Sequence, residues 1–134
     1  MTGITVLDWQ NPYGNTVVLT GDSIQPDWDI MNVAFDIHQQ DSLSKAVFAL
    51  EKHNAQGKVA IDSYSVRTQV QKTGSWDFAT YILPIDSTWR SAEKIKLYVH
   101  NFSGSAVQIR NFDVSFRPSY LKAGVKAESY KSFD

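Results

Sequence analysis

The stretch KIKLYVHNF, residues 94–102, alternates without a break: Ile95, Leu97 and Val99 fall on one side, Lys94, Lys96, Tyr98 and His100 on the other. Side chains that repeat every second residue mark extended backbone, because successive Cβ atoms of a strand point to opposite faces. An apolar side opposed to a polar one is what a sheet needs when one face covers a core and the other meets water. The same period continues outward. Upstream, Met31, Val33, Phe35 and Ile37 alternate with Asn32, Ala34, Asp36 and His38 over 29–38, and Trp76, Phe78 and Thr80 alternate with Ala79, Tyr81 and Leu83. Pro84 cannot donate to a ladder, so it ends that strand or lies at an edge. Downstream, Val107 and Ile109 share a face; after Arg110-Asn111 the apolar beat resumes at Phe112, Val114 and Phe116, one step out of phase, as a β-bulge produces.

Further strands are expected at Ile4–Leu7 and at Thr16–Thr20, the latter closed by Gly21-Asp22-Ser23. AVFALE, residues 46–51, is apolar on both sides and suits a strand covered on both faces, with one helical segment from Asp41 to His53 as the open alternative. After the loop Asn54-Ala55-Gln56-Gly57, residues 58–64 and 66–71 suggest a hairpin-like pair. About eight or nine strands, with turn signals roughly every ten residues, predict an all-β fold: a two-sheet antiparallel β-sandwich of jelly-roll type. Residues 1–118 make up the sandwich. Residues 119–134 read as a polar C-terminal tail or linker, in which Tyr120, Leu121 and Tyr130 are able to pack back.

Composition narrows the function. The 134 residues are 43% hydrophobic, enough for one substantial core. Thirteen Lys plus Arg against fourteen Asp plus Glu give a net charge of -1, which removes the footprint of a protein that tracks nucleic-acid phosphates. Without cysteine there is no disulfide framework, thiolate metal site or cysteine nucleophile. No apolar run approaches the ~18 residues of a membrane span. Met1-Thr2-Gly3-Ile4 lacks the basic and apolar regions of a signal peptide, so either a cytosolic protein or an excised part of a larger one is expected. Aromatic residues reach 13%, with four tryptophans, more than a core of this size requires.

The last strands carry a resemblance. SWDFATYILPI, KIKLYVHNF and AVQIRNFDVSF, within residues 46–117, resemble the galactose-binding-like β-sandwiches, which include many carbohydrate-binding modules. Trp76 with Leu83-Pro84, His100-Asn101 and Arg110-Asn111 stand at the places that correspond. The resemblance implies a sandwich that binds carbohydrate without transforming it, as an accessory module of a larger exported or cell-surface protein; a cytoplasmic setting stays open. Relatives carry an acidic pair where this chain has Arg110-Asn111, and that pair contributes to a structural calcium site. An arginine there argues against calcium, which needs several oxygen ligands, and leaves Asn111 and Asp113 as the only local donors. No cofactor is expected.

Sugar recognition needs an exposed ring to stack on the apolar face of a pyranose, with polar side chains to meet its hydroxyls. Two groups fit. The first is Lys96, Tyr98 and His100, with Gln108 and Arg110 expected alongside on the closing strand. The second is the loop group Trp9, Gln10, Asn11, Tyr13 and Asn15, joined by Asp27-Trp28-Asp29. An ordinary solvated sheet face competes with the first, and a plug of the core by Trp9 and Trp28 with the second. Trp76 is assigned to packing because it keeps the phase of Phe78, and Trp89 is left open. Catalytic signatures are missing: no phosphate loop, no nucleophile elbow, and His38, His53 and His100 lie without ligand spacing. The expected function is therefore a non-catalytic carbohydrate-binding or adhesion module whose partner is a glycan or polysaccharide. A structural or protein-interaction sandwich is the alternative, and a small glycan hydrolase built on Asp27 and Asp29 the second; the oligomeric state is left open.

Overall fold

The computed structural model describes residues 3–41, 44–119 and 128–131, leaving aside the side chains of Asn15 and of 128–131. The strands are β1 (Thr5–Leu7), β2 (Tyr13–Leu19), β3 (Ile30–Gln39), β4 (Ala46–His53), β5 (Val59–Ser65), β6 (Trp76–Pro84), β7 (Lys94–Asn101), β8 (Val107–Arg117) and β9 (Glu128–Lys131). One sheet has the order β1-β8-β3-β6, with β9 also pairing β8; the other has the order β2-β7-β4-β5. The strand pairs are antiparallel. Among β1–β8 only the β4–β5 hairpin stays within one sheet, and every other connection crosses between the layers, which is the jelly-roll arrangement.

The alternating residues decide what lies between the layers. Ile95, Leu97 and Val99 of β7 are 0% exposed, as are Val33, Phe35 and Ile37 of β3. Fully burying side chains of this size contributes about 1.5–3 kcal/mol each. Rings occupy the middle: Phe35 stacks on Phe112, and Phe48 meets Tyr81. Burial of Tyr81 pushes its phenol up to about 12.

The bulge expected at Arg110-Asn111 is present. Asp36 pairs with Arg110 and Ala34 with Asp113, so β8 carries one residue more than β3 across this interval. Asn111 takes the left-handed backbone, φ 57°, that the extra residue requires. The alternation then restarts with Phe112, Val114 and Phe116 buried.

Residues 46–51 form a strand, as expected, and the helical alternative is not adopted. Other expectations are corrected. Residues 66–71 are not a strand: Val66–Thr68 is a 3-10 turn, in which Val66 O accepts from Gln69 N and Val70 N. Val66 and Val70 are both buried, and a spacing of four satisfies one helical turn as well as two strand repeats. Trp76 does keep the phase of Phe78, but that phase faces outward, with Phe78 exposed, while Ala79, Tyr81 and Leu83 enter the core. Trp89 is buried beneath the short helix α1 (Ser87–Arg90), which Asp86 caps by accepting from Thr88 N at 2.9 Å. Within the expected tail, Glu128–Lys131 pairs with Asp113–Phe116 of β8. Tyr120 and Leu121, and the side chain of Tyr130, lie outside the described residues.

Replacing Asn111 by Val forces a β-branched side chain into left-handed backbone and is expected to cost about 1–3 kcal/mol. Asn111→Gly is expected to stay within about 0.5 kcal/mol of the parent. Urea unfolding of the pair checks this; equal losses would mean that the bulge conformation is not what position 111 supplies.

Candidate functional site

The outer face of the β2-β7-β4-β5 sheet gathers a row of polar and aromatic side chains that the alternation leaves free. From β7 it takes Lys94, Lys96, Tyr98 and His100; from β4, Val47, Ala49, Glu51 and His53, paired across with His100, Tyr98, Lys96 and Lys94 respectively. Tyr13 of β2 lies opposite His100. A bulge between Gly14 and Val17 lets Tyr13 face outward while Val17 and Leu19 face the core. Gly14 itself turns inward, where a Cβ would come within 2.7 Å of the Leu7 side chain. The smallest residue therefore sits under the strand at the point where Tyr13 is presented.

Tyr13 and His100 stack with ring centroids 4.2 Å apart and planes 19° from parallel. Tyr98 meets Tyr13 edge-on at 5.9 Å, and Phe102 continues the row at 5.6 Å from His100. Tyr13 and Phe102 are 55% and 56% exposed, so two rings of the row present surface to an incoming apolar face. Burial lowers the pKa of His100, which keeps it a neutral, flat partner for Tyr13 at pH 7.

Beside the rings, the Tyr98 hydroxyl donates to Glu51 Oε2, and His53 Nε2 lies 2.9 Å from Glu51 Oε1. The bond from Tyr98 is the main reason that the Glu51 carboxyl titrates below its ordinary value of 4.5; His53 and Lys96 add to it against the opposing effect of burial. Tyr98 is pushed up to about 12, first by burial and then by Glu51. Glu51 is thus a fixed, ionised acceptor with lone pairs to spare, set beside a ring platform.

The expected residues divide between two faces. Lys96, Tyr98, His100 and Tyr13 come together, and Trp9, 73% exposed, stands on the loop leading into Tyr13. In that loop Asp8 Oδ1 accepts from Gln10 N and Asn11 N. Gln108 and Arg110 do not join them: β8 belongs to the other sheet, so consecutive strands β7 and β8 present their polar sides on opposite surfaces of the sandwich. Arg110 lies 3.9 Å over the Trp76 ring and donates to Asp36 at 3.2 Å. Trp28 is no ligand platform; it is 1% exposed and stacks on Phe116 in the core. The Arg90 guanidinium holds its loop by donating to the carbonyls of Pro26 and Trp28.

At the place of the relatives' calcium site, the carboxylate of Asp36 is engaged by Arg110 and Asn111. Asn111 turns its amide nitrogen, a donor, toward Asp36 at 2.8 Å, and the Arg110 charge occupies the same carboxylate oxygen. Asp113 lies farther along β8, opposite Ala34. Glu51, His53 and Phe102 were not singled out in the sequence. The first two carried a signal, a Glu and a His two apart where the apolar run of β4 turns polar.

The fold recurs in solved structures of low sequence identity. The CBM22-1 xylan-binding domain of Paenibacillus barcinonensis Xyn10C superposes with a TM-score of 0.56 at 11% identity, over 88% of this chain and 83% of that one. The CBM22-1 and GH10 modules of Clostridium thermocellum xylanase 10B, complexed with xylohexaose, give 0.54 at 9% over 93% of this chain. The enzymatically active domain of tailspike protein 4 from bacteriophage CBA120 gives 0.55 at 12% over 84%. This chain shares its two-sheet β-sandwich fold with these domains. It spans 26% of the xylanase chain and 15% of the tailspike chain. No protein-family model and no curated protein matches the sequence.

Because the folded-state pKa of Glu51 is depressed, its bond to Tyr98 adds stability that is complete above 4.5 and is lost as pH falls through the lowered folded value. Tyr98→Phe is therefore expected to be less stable than the parent at neutral pH, with the gap narrowing in acid. Thermal melts of both proteins across pH 3 to 7 check the sign; a gap that widens in acid would contradict it.

Proposed function

We propose that this chain is a non-catalytic glycan-binding module that captures its ligand on the outer face of the β2-β7-β4-β5 sheet, as part of a larger exported or cell-surface protein. The observation that carries this reading is the open ring row Tyr13–His100 set beside a carboxylate already fixed by Tyr98 and His53. Stacked rings take the apolar face of a sugar, and Glu51 with the lysines meets its hydroxyls. The shared fold with xylan-binding domains supports the same reading, by likeness of architecture.

Hydrolysis asks for something this face lacks. Two-carboxylate glycosidases place an acid and a base or nucleophile on either side of the bond to be broken. Among the described residues of this face Glu51 is the single carboxylate. Asp27 and Asp29, the pair considered from sequence, flank a tryptophan that turns into the core.

Removing a stacking ring is expected to weaken binding about two- to tenfold. Affinity electrophoresis on a panel of soluble polysaccharides, with parent and Tyr13→Ala, measures this. Retardation by at least one glycan, reduced in the variant, is the expected result; no retardation by any would remove the proposal.

A second reading, a protein-facing sandwich, draws on one observation: Phe78 and Ile82 stand exposed on the outer face of edge strand β6. It predicts a stable oligomer by light scattering that Phe78→Ser disperses. A monomer in both would count against self-association through this strand.

A further inference from the structure

The ring face is lopsided in charge. Lys94 and Lys96 continue the outward row of β7 beyond Tyr98, and Lys45 precedes β4 in the phase of Val47, beside the Phe102 end. The single carboxylate among them, Glu51, already takes donors from Tyr98 and His53. Lys96 is close enough to act on Glu51 through its charge, but the ion pairs found among the described residues are His53–Glu51 and Arg110–Asp36, so none of the three lysines is in one. Of the neighbouring acids, Asp62 pairs across from Leu50, Asp41 accepts from Ser105, and Glu93 lies in the bend before Lys94. On the opposite face, among the described side chains of β3 and β8, Asp36 and Asp113 are set against Arg110 and Arg117. Among the described residues, a chain of net charge -1 thus sets Lys45, Lys94 and Lys96 against the one carboxylate of the face that carries its open rings.

We infer that the ligand of this face is an anionic glycan, a polysaccharide bearing carboxylate or sulfate groups, lying along β7 with its sugar rings at Tyr13 and His100 and its charges toward Lys96 and Lys94. This rests on the glycan-binding reading above and names the class of its ligand. Ammonium groups are hydrated point charges that attract either anion without a fixed geometry, so the shared chemistry is a negative charge repeated along the chain. Such contacts on an open sheet are individually weak and screened by salt, and the rings supply the part of the affinity that salt leaves intact.

Affinity electrophoresis of the full chain decides it, using polygalacturonate, chondroitin sulfate and neutral galactan as probes, at low and at physiological salt. The expected result is stronger retardation by one or both acidic polymers than by galactan. Lys94→Gln/Lys96→Gln is expected to weaken the acidic interaction roughly threefold to tenfold and to reduce any retardation by galactan by less than that. Polygalacturonate acting alone assigns carboxylate; chondroitin sulfate acting alone assigns sulfate ester where its desulfated form, which keeps the carboxylates, is not retarded, and carboxylate where it is. Equal retardation by acidic and neutral polymers, or an acidic preference that survives the double substitution, would overturn the inference and leave glycan binding standing. Acidic retardation that Tyr13→Ala does not reduce would overturn it as bare charge attraction away from the rings. Retardation by none of the polymers would overturn it, and the wider glycan panel then separately decides the reading on which it rests. Matching circular-dichroism spectra and melts of all variants exclude loss of fold as the cause.

Discussion

Two single-residue insertions in the strand ladders govern which side chains of this protein meet water. In a sheet a shift by one residue exchanges every side chain between core and surface. Without the extra residue at Asn111, Asp113, Ser115 and Arg117 would enter the core in place of Phe112, Val114 and Phe116. The irregularity between Gly14 and Val17 does the same on β2, in the service of the surface. Tyr13, Val17 and Leu19 are all odd-numbered, yet the first must face out and the others in. One insertion satisfies both demands, so the ring that opens the candidate site and the apolar residues that anchor its strand have a common origin.

The two outer faces then differ in how far their polar groups are used up within the protein. Around Trp76 the interactions close on themselves: Arg110 covers the indole, Asp36 binds Arg110 and Asn111, and His38 meets the ring edge-on. The face around Tyr98 stays partly open. Glu51 is held by two donors that fix its position without exhausting its lone pairs, and the outer ring of the Tyr13–His100 stack is more than half exposed. An arrangement that is ordered before a ligand arrives loses less side-chain entropy on binding, which is where a flat sheet gains over a loop of the same composition.

Much of this was legible in the sequence because strand periodicity is a local signal. The row of β7, the bulge before Phe112 and the two-layer architecture follow from alternation within about ten residues. What local signals do not carry is which strands become neighbours. Gln108 and Arg110 follow Tyr98 and His100 by one turn in the chain, and adjacency in sequence suggested adjacency in space; the jelly-roll connection from β7 to β8 instead crosses the sandwich. Glu51 reaches Tyr98 through a pairing 47 residues apart, which no spacing rule anticipates. Trp28 and Trp76 show the complementary limit. A tryptophan between two aspartates looked suited to the surface and lies in the core, whereas one in phase with Phe78 looked buried and is half-covered by an arginine outside it. Burial of a single large residue depends on what the opposite strand places beneath it.

The openness of the face also sets the manner in which it can act. A site on a sheet surface whose Tyr13 and Phe102 rings are more than half exposed excludes little water, so each hydrogen bond to a ligand exchanges for one to solvent and contributes modestly. In the proposed role, affinity would come from ring area and from repetition: several sugar units along β7, or several modules on one parent protein, would turn weak contacts into retention. Pinning Glu51 by Tyr98 and His53 fits that regime. A rigid acceptor cannot make a single contact strong on an open surface, but in the proposed role it would offer the same contact to each sugar unit without a fresh cost of ordering the side chain.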